Sequence, residues 1–252
     1  MQAYDERIAG TVRFIREATH ITAFTGAGIS TESGIKDFRS PGGIWDRYRI
    51  VTFQEFVSDH KARVEYWNMR RELFHELNSA RPNRAHKALA ALEQMGRLQC
   101  LITQNIDGLH YDAGNADIIE LHGTNKRAAC LSCGKSWPIA DIQARLEAGE
   151  RAPTCDDCNG LIKPATVSFG QAMPEKELMK AAECASSCDL FLMIGSSLKV
   201  EPAASIPKMA YQAGAKLVFV NRTETPLDTV ASIIFREDAG DVLSRVIERL
   251  HS

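Results

Sequence analysis

Short apolar runs alternate along the chain with segments in which apolar residues recur every three or four positions. The runs are bounded by glycine or polar residues and are typical of strands buried on both faces, whereas the periodic segments are typical of amphipathic helices. The pattern predicts strands within 20–28, 98–105, 116–123, 164–170, 188–197 and 215–221. It predicts helices over 4–19, 54–78, 82–96, 203–215 and 239–250.

The order of these segments indicates the class of fold. Strands that alternate with helices form a parallel sheet covered by helices on both faces, which is the α/β architecture. Cysteine pairs interrupt the pattern between residues 130 and 158, and this stretch looks like an insertion. At 252 residues, the chain therefore predicts one large α/β domain that carries a smaller module.

Composition and charge limit the possible functions. Hydrophobic residues make up 44% of the chain, and 30 Lys and Arg nearly balance 32 Asp and Glu. A formal charge of -2 argues against a basic surface, so no direct nucleic-acid binding is expected. The N-terminal stretch MQAYDERIAG is unlike a signal peptide, and no apolar run approaches the roughly 18 residues of a membrane span. We expect a cytoplasmic protein with no membrane partner.

Four of the seven cysteines form two CxxC pairs, Cys130 with Cys133 and Cys155 with Cys158. About 20 residues separate the pairs, which is the spacing of four-cysteine zinc sites. Four thiolates complete a tetrahedron around Zn²⁺ and leave no open position, so a structural zinc is predicted. Two disulfides or a redox CxxC motif are the alternatives, and a reducing compartment and the polar loops around both pairs disfavour them.

The other cysteines, Cys100, Cys184 and Cys188, lie in apolar or helical stretches. A free cysteine in such a place usually behaves as a small hydrophobic residue. We predict that these three are unpaired packing residues.

A glycine-containing turn, Gly26-Ala27-Gly28, follows the first predicted strand. Backbone N–H groups at such a turn suit a pyrophosphate, although a purely structural turn explains the same residues. Later strands end in the small and polar stretches TQNID, IGSS and VNRT, and ligands of such folds bind at strand ends. No Asp or Glu closes the strand after the turn, so Asn221 is the better candidate for binding a ribose.

His122 ends the stretch ELHG, just before the cysteine-containing insertion. A neutral imidazole, with an ordinary pKa near 6.5, is suited to take a proton from a sugar hydroxyl. An ordinary strand-end histidine is the alternative. The other histidines have structural explanations.

Taken in order, GAGISTESGIKDFR, TQNIDGLH, ELHG, the CxxC pairs, GSSLKVEPAA and VNRTETP closely resemble the motifs of the sirtuins, the NAD-dependent protein-lysine deacylases. The similarity extends over nearly the whole chain. It implies a Rossmann-like parallel-sheet domain with a smaller module made of helices and a zinc ribbon. The large part would comprise about 1–40, 82–124 and 164–252, and the small module about 41–81 (helical) and 125–163 (zinc ribbon).

The resemblance also implies roles for individual residues. His122, Asn105 and Asp107 would be catalytic, and Zn²⁺ would hold the small module in shape. An acyl-lysine peptide would add as a strand between 167–170 and 197–202. Its contacts would include Val167, Phe169, Gly170, Leu198 and Val200. NAD would contact Gly26, Ala27, Gly28, Thr31, Asp37, Phe38, Arg39, Gln104, Asn105, Ile106, Asp107, Gly195, Ser196, Ser197, Asn221, Arg222 and Ala239.

In the implied reaction, NAD is consumed and is not a hydride carrier. The acyl-lysine oxygen attacks the nicotinamide ribose carbon, and nicotinamide leaves. His122 then removes a proton from a ribose hydroxyl, so that this oxygen attacks the former acyl carbon. Water completes the release of free lysine and O-acyl-ADP-ribose.

The sequence departs from the sirtuin pattern at several positions. Lys36 stands where most sirtuins have proline, and Gln171 follows SFG where glutamate is usual. Trp67 and Arg70 fall where desuccinylating relatives carry a tyrosine and an arginine that bind the acid of the acyl chain. Both are candidate substrate contacts, with a packed tryptophan and a solvated arginine as the alternative. The preferred acyl group therefore stays open.

Two other functions fit parts of the sequence. Mono-ADP-ribosyl transfer to protein would use the same pocket. A sensor of NAD or ADP-ribose, or a nucleic-acid module with a degenerate pocket, would need no catalytic base. His122, Asn105 and Asp107 argue against degeneration, so deacylation, with deacetylation first, is the main expectation.

Overall fold

The structure is a computed structural model that describes residues 3–36 and 47–252. The predicted cofactor contacts Asp37, Phe38 and Arg39 lie outside the described residues, as does the start of the predicted helical module. Among the helices within these ranges, none is long and apolar enough to cross a membrane.

Two sheets organise the described part of the chain. Their strands are β1 (Ile21–Thr25), β2 (Leu98–Thr103), β3 (Ile118–Glu120), β4 (Gly123–Cys130), β5 (Ser136–Pro138), β6 (Ile162–Thr166), β7 (Leu190–Ile194), β8 (Lys216–Val220) and β9 (Ile233–Phe235). A six-stranded parallel sheet has the order β3-β2-β1-β7-β8-β9, and a three-stranded antiparallel sheet has the order β5-β4-β6. The predicted α/β fold with a parallel sheet is confirmed.

Four strands differ from the sequence-based pattern, and of these β4 and β5 follow no predicted run. The run over 164–170 predicts one strand, but β6 ends at Thr166 because the chain then turns: Gln171 N donates to Ser168 O at 2.9 Å, and Gly170 has a φ of 78°. The edge strand β9 follows no predicted run, since three residues are too few to establish a pattern.

Helices connect and cover the strands. They are α1 (Tyr4–Glu17), α2 (Phe53–Ser58), α3 (His60–Ser79), α4 (Arg84–Gln94), α5 (Leu109–Ala113), α6 (Ile139–Glu147), α7 (Glu175–Ser187), α8 (Ile206–Gln212) and α9 (Ala239–His251). Short 3₁₀ turns lie at Ala27–Ser33, Ala203–Ser205 and Asp228–Val230.

The single helix predicted over 54–78 is divided at Asp59. This residue has extended backbone angles, φ -118° and ψ 118°, so α2 ends there and α3 begins at the next residue. The Asp59 carboxylate accepts a hydrogen bond from Lys61 N at 2.8 Å and caps α3. Aspartate is favoured at this position because its short side chain satisfies an N–H group that the first helical turn leaves unpaired.

Helices pack on both faces of the parallel sheet. On one face, α1, α4 and α9 bury a cluster that includes Ile21 and Val218. On the other face, α7 and α8 bury a second cluster that includes Phe24 and Phe191. Every residue of β1 is buried, which explains why the sequence shows continuous apolar runs and not a polar alternation.

The antiparallel sheet packs against α3 and α6. Trp67 from α3, Ile142 from α6, and Cys130 and Ile162 from the sheet belong to one buried cluster. Helices and zinc-ribbon strands thus share a core, as the sirtuin resemblance implies. The residue bounds given above for the two parts stay a prediction.

Two of the cysteines predicted to be unpaired are joined. Cys100 on β2 and Cys184 on α7 form a disulfide, with Cα atoms 6.3 Å apart. The prediction is wrong for this pair because α7 packs on the face of the sheet that carries Cys100, a contact between segments far apart in sequence. Cys188 is a free, buried thiol as predicted, and burial raises its pKa to about 11.

Candidate active site

A cleft of about 1090 Å³ opens at the carboxyl ends of the central parallel strands. Its walls come from the turn after β1, from the ends of β2, β7 and β8, from the segment that follows β6, and from α3. Sites for drug-sized ligands have volumes of about 300–1,000 Å³. The cleft therefore has room for a dinucleotide and for part of a second substrate.

The glycines of the first turn are required by a close approach of backbone. Gly28 N donates to Gly195 O at 2.8 Å, and a Cβ atom added at Gly28 would lie 2.7 Å from Gly195 Cα. A Cβ at Gly26 would lie 2.7 Å from Gly195 O. The turns after β1 and β7 therefore pack backbone against backbone beneath the cleft. This arrangement leaves main-chain atoms as the surface that a ligand meets.

Asn105 is fixed at the end of β2 by its own side chain. Its Nδ2 donates to Gly26 O and to Ser30 Oγ, both at 3.1 Å, and the residue lines the cleft. Ser30 Oγ in turn donates to Asp107 Oδ2 at 2.7 Å, and Asp107 Oδ1 accepts from Leu109 N. Asp107 is buried and does not line the cleft. Its place in the structure is behind Asn105, where it orients the amide through Ser30.

His122 lines the same cleft, two residues beyond the end of β3. Its Nδ1 lies 2.9 Å from the carbonyl oxygen of Gln104. A carbonyl only accepts hydrogen bonds, so Nδ1 carries the proton and Nε2 is the basic nitrogen of the neutral ring. The main-chain oxygen of His122 accepts from Val167 N at 2.9 Å. One bond sets the tautomer, and another ties the residue to the segment after β6.

The other predicted cofactor contacts converge on the cleft. Gln104 Nε2 donates to Ser196 Oγ at 2.8 Å, and Asn221 Nδ2 donates to Thr223 O at 2.8 Å. Arg222 forms an exposed ion pair with Asp238. The predicted contacts that line the cleft are Gly26, Ala27, Gly28, Thr31, Gln104, Asn105, Ile106, Gly195, Ser196, Ser197, Asn221, Arg222 and Ala239. Amides, hydroxyls and main-chain groups of this kind fit the ribose and phosphate groups of a dinucleotide.

The predicted peptide contacts divide into two groups. Val167, Phe169, Gly170 and Val200 line the cleft. Leu198 does not line it: the residue is buried and belongs to the apolar cluster under α7 and α8.

Four cysteine sulfurs form a compact cluster at the end of the antiparallel sheet. Ligand atoms of Cys130, Cys133, Cys155 and Cys158 all lie within 4.8 Å of one another. The Cys130–Cys158 and Cys133–Cys155 sulfur separations are 3.5 and 3.7 Å. A zinc ion bound by four thiolates at about 2.3 Å places neighbouring sulfurs about 3.8 Å apart, whereas a disulfide needs about 2 Å. The cluster fits a closed structural zinc site and does not fit two disulfides.

Comparison with known proteins decides the family. The profile of the Sir2 family matches residues 26–202. The chain belongs to the Sir2 family. An NAD-dependent protein deacetylase of Thermodesulfovibrio yellowstonii is 53% identical over 250 residues, which cover 99% of this chain and 98% of the relative. The resemblance to the sirtuins seen in the sequence is therefore confirmed.

Solved Sir2 structures share the fold. A complex of Sir2 with a p53 peptide and NAD⁺ superposes with a TM-score of 0.89 at 37% identity, covering 96% of this chain and 98% of that one. A mutant Sir2 with deacetylated p53 peptide and 3'-O-acetyl ADP-ribose has a TM-score of 0.90 at 39% identity, with the same two coverages. The Rossmann-like architecture with a smaller module is the fold of these proteins.

In this Sir2-family chain, Trp67 lies away from the cleft. Its side chain is 1% exposed, packs in the core between α3 and the small sheet, and borders a separate small cavity. Tyr66, Met69 and Arg70 line the cleft instead. These residues are three and four positions apart and share one helical face, whereas position 67 is rotated by about 100° from 66. Helical spacing pairs Arg70 with Tyr66 and with Trp67 alike, so the sequence analysis missed Tyr66.

The phenol of Tyr66 lies in a positively charged part of this Sir2 fold. Burial would raise the pKa of Tyr66, but the charges of Arg70 and Lys163, together with hydrogen bonds to the side chains of Thr166 and Ser168, hold that pKa below its ordinary value. The wall of the cleft formed by α3 is therefore electropositive.

Two buried histidines lie beneath the Sir2-family site. His110 Nε2 is 3.0 Å from Thr25 Oγ1, which donates to Thr103 Oγ1 at 2.8 Å, and that oxygen also accepts from Asn105 N at 3.0 Å. The His86 ring lies beside the His110 ring, with centroids 4.8 Å apart. Burial lowers the pKa of His86 to about 4 and, with the neighbouring His86, lowers that of His110 to about 3.

This pair predicts loss of stability in acid. Both folded-state pKa values lie below the ordinary 6.5, so the unfolded chain binds more protons and the folded state loses stability as pH falls from about 6.5 towards 4. From pH 7 to pH 5, we expect each histidine to remove about 2 kcal/mol from the free energy of unfolding. Denaturant titrations at the two pH values measure this loss.

Protonation of the zinc thiolates would also lower the free energy of unfolding in acid, and replacing one buried histidine with phenylalanine separates the two contributions. His86→Phe should lose roughly half of the histidine-dependent change between pH 7 and pH 5, while the exposed His251→Ala control should match the wild-type chain. Identical pH dependence of His86→Phe and the wild-type chain would show that the buried pair is not responsible.

Proposed function

We propose that this Sir2-family chain is an NAD-dependent protein-lysine deacylase, with deacetylation as its main reaction. The observation that carries the proposal is His122, which lines the same cleft as the predicted NAD contacts and has its Nδ1–H directed to Gln104 O. The relative from Thermodesulfovibrio yellowstonii is named an NAD-dependent protein deacetylase. The solved Sir2 complexes that share this fold hold a p53 peptide with NAD⁺ or with an acetylated ADP-ribose.

The roles of the residues follow from their positions in the cleft. NAD would supply a ribose carbon from which nicotinamide departs. Main-chain groups of the turn at 26–28 and the side chains of Ser196 and Asn221 would bind its polar groups, and Asn105 would orient the nicotinamide end. His122 Nε2 would take the proton of a ribose hydroxyl, because its other nitrogen already donates to Gln104.

The peptide would enter as an added strand. Residues of 167–170 and 197–202 line the same cleft, and an extended peptide between the two segments would pair with main-chain groups and direct the acyl-lysine inward. Apolar lining residues such as Phe169 and Val200 would exclude water around the acyl-lysine stem.

Zinc would stabilise the small antiparallel sheet and would take no part in the reaction. The predicted ligands Cys130, Cys133, Cys155 and Cys158 offer four thiolates and leave no position for a substrate. We also propose a cytoplasmic location, since the four cluster thiols are free for zinc, as a reducing compartment would keep them; the Cys100–Cys184 disulfide is a feature that such a compartment would reduce.

A mass-spectrometric time course tests the reaction class. One histone-like peptide is prepared in acetyl, propionyl, butyryl and succinyl forms and incubated with and without NAD. We expect acetyl loss only with NAD, matched mole for mole by O-acetyl-ADP-ribose and nicotinamide. The appearance of ADP-ribose on protein without loss of any acyl group would instead support the ADP-ribosyltransferase alternative.

The same series tests a second candidate function, a preference for acidic acyl groups. Arg70 lines the cleft, and no carboxylate of the described residues forms an ion pair with it. If succinyl is accepted, Arg70→Met should lower succinyl turnover about tenfold relative to acetyl turnover, because one charge-assisted hydrogen bond is lost. The exposed neighbour Arg71→Met is the matched control. An unchanged succinyl-to-acetyl ratio would remove Arg70 from acyl recognition.

A further inference from the structure

Lys163 on β6 is a buried lysine without an acidic partner among residues 3–36 and 47–252. Its side chain is 1% exposed, and burial lowers its pKa. The charged or titratable groups that face it are the Tyr66 phenol and the Arg70 guanidinium. Burying an amine without a carboxylate is unfavourable unless its N–H groups are hydrogen-bonded. Its hydrogen bonds must therefore compensate for the burial of the amine, and the groups that accept them are fixed in position by it.

Lys163 Nζ donates to main-chain oxygens of its own strand. It bonds to the carbonyl of Thr166 and, at 3.4 Å, to that of Pro164. Thr166 is the last residue of β6, and the predicted peptide-binding segment begins at the next residue. The amine thus binds the carbonyl at which the regular sheet ends and the cleft wall begins.

The segment after β6 has further main-chain anchors. Val167 N donates to His122 O at 2.9 Å, and Phe53 N donates to Phe169 O at 2.8 Å. The first of these bonds joins the segment to the proposed base, and the second joins it to α2. The segment is therefore hydrogen-bonded at three successive points. Thr166 O accepts from Lys163, Val167 N donates to His122 O, and Phe169 O accepts from the first residue of α2.

We propose that Lys163 is a positioning residue. It fixes the backbone conformation of residues 166–170, so that this segment binds the peptide and stays aligned with His122. The proposal rests on the proposed function. An apolar side chain at position 163 would fill the space but would leave the Thr166 carbonyl buried without a donor. That carbonyl would then rotate towards other donors, and the peptide-binding segment would change its direction where it leaves the sheet.

The test removes the donors and keeps the stem. Lys163→Met should weaken binding of the acetyl-lysine peptide about tenfold, measured by calorimetry without NAD so that no turnover occurs. The KM for peptide should rise by a similar factor, whereas the KM for NAD should stay within about twofold. Lys61→Met, a change at an exposed lysine of α3, is the control and should leave both values unchanged. Equal changes in the two KM values would assign Lys163 a general structural role and overturn the proposal.

Amide hydrogen exchange separates this proposal from the proposed function. The amides of 167–169 should exchange about tenfold faster in Lys163→Met than in the wild-type chain, whether or not the chain deacetylates peptides. Unchanged exchange in a folded variant would overturn the positioning role even if deacetylation is found. Should Lys163→Met fail to fold, Lys163→Gln keeps an amide donor on a shorter stem and takes its place in both measurements. Wild-type exchange and peptide affinity in Lys163→Gln, whose shorter side chain withdraws the donor from Thr166 O, would overturn the positioning role.

Discussion

Replacing His122 with alanine is expected to lower NAD-dependent deacetylation by about 10²- to 10⁴-fold. The imidazole is held by its Nδ1–H bond to Gln104 O, and alanine provides no basic nitrogen at this place in the cleft. The loss should appear in kcat, because the proton transfer follows binding of both substrates. Rates of O-acetyl-ADP-ribose formation at saturating peptide and NAD measure it.

The control for this variant is His60→Ala, which removes an exposed histidine at the start of α3. Thermal melting and peptide affinity of His122→Ala should match the wild-type values, since the Val167 bond uses the main-chain oxygen of residue 122 and survives the substitution. Acyl-dependent NAD consumption at the normal rate in His122→Ala would show that another group acts as the base.

Loss of zinc is expected to unfold the small sheet and abolish activity, although no zinc ligand lines the cleft. Cys155→Ser replaces a fully buried thiolate ligand, and we expect bound zinc to fall from one ion per chain to none. The melting temperature should fall by more than about 10 °C, because metal binding contributes folding free energy. Metal analysis and circular dichroism melting measure the two effects.

The physical reason lies in the two strands that zinc joins. Cys130 ends β4, whose first residue follows His122, and Cys155 and Cys158 precede β6, which leads to 167–170. Cys188→Ala is the control, since it removes a buried free thiol outside the cluster. A zinc-free Cys155→Ser protein with native melting and activity would contradict the structural role of the metal.

Features that depend on nearby residues could be predicted from the sequence. The four-cysteine cluster follows from two CxxC pairs, and the parallel sheet follows from apolar runs separated by helical segments. His122 and Asn105 could be placed at strand ends because parallel strands end at one edge of a sheet. In each case, the spacing along the chain carries most of the information.

Features that depend on packing between distant segments could not be predicted. The disulfide between Cys100 and Cys184 requires α7 to lie on one face of β2. The choice of Tyr66 over Trp67 depends on the rotation of α3 against the small sheet. In the sequence, nothing distinguishes Lys163 from an exposed lysine. Its burial is explained by the fold, in which its amine donates to the carbonyl of Thr166 at the end of β6.

The meeting of Gly26, Gly28 and Gly195 has a consequence for protein engineering. Because an added Cβ at any of these positions would lie within 3 Å of backbone atoms, a designer cannot introduce a side chain at these three glycines. Altered selectivity for modified dinucleotides is therefore better sought at the end of the cleft that is predicted to bind adenosine, where Asn221 and Arg222 present replaceable side chains. Libraries of variants are best confined to that end, with the glycines held invariant.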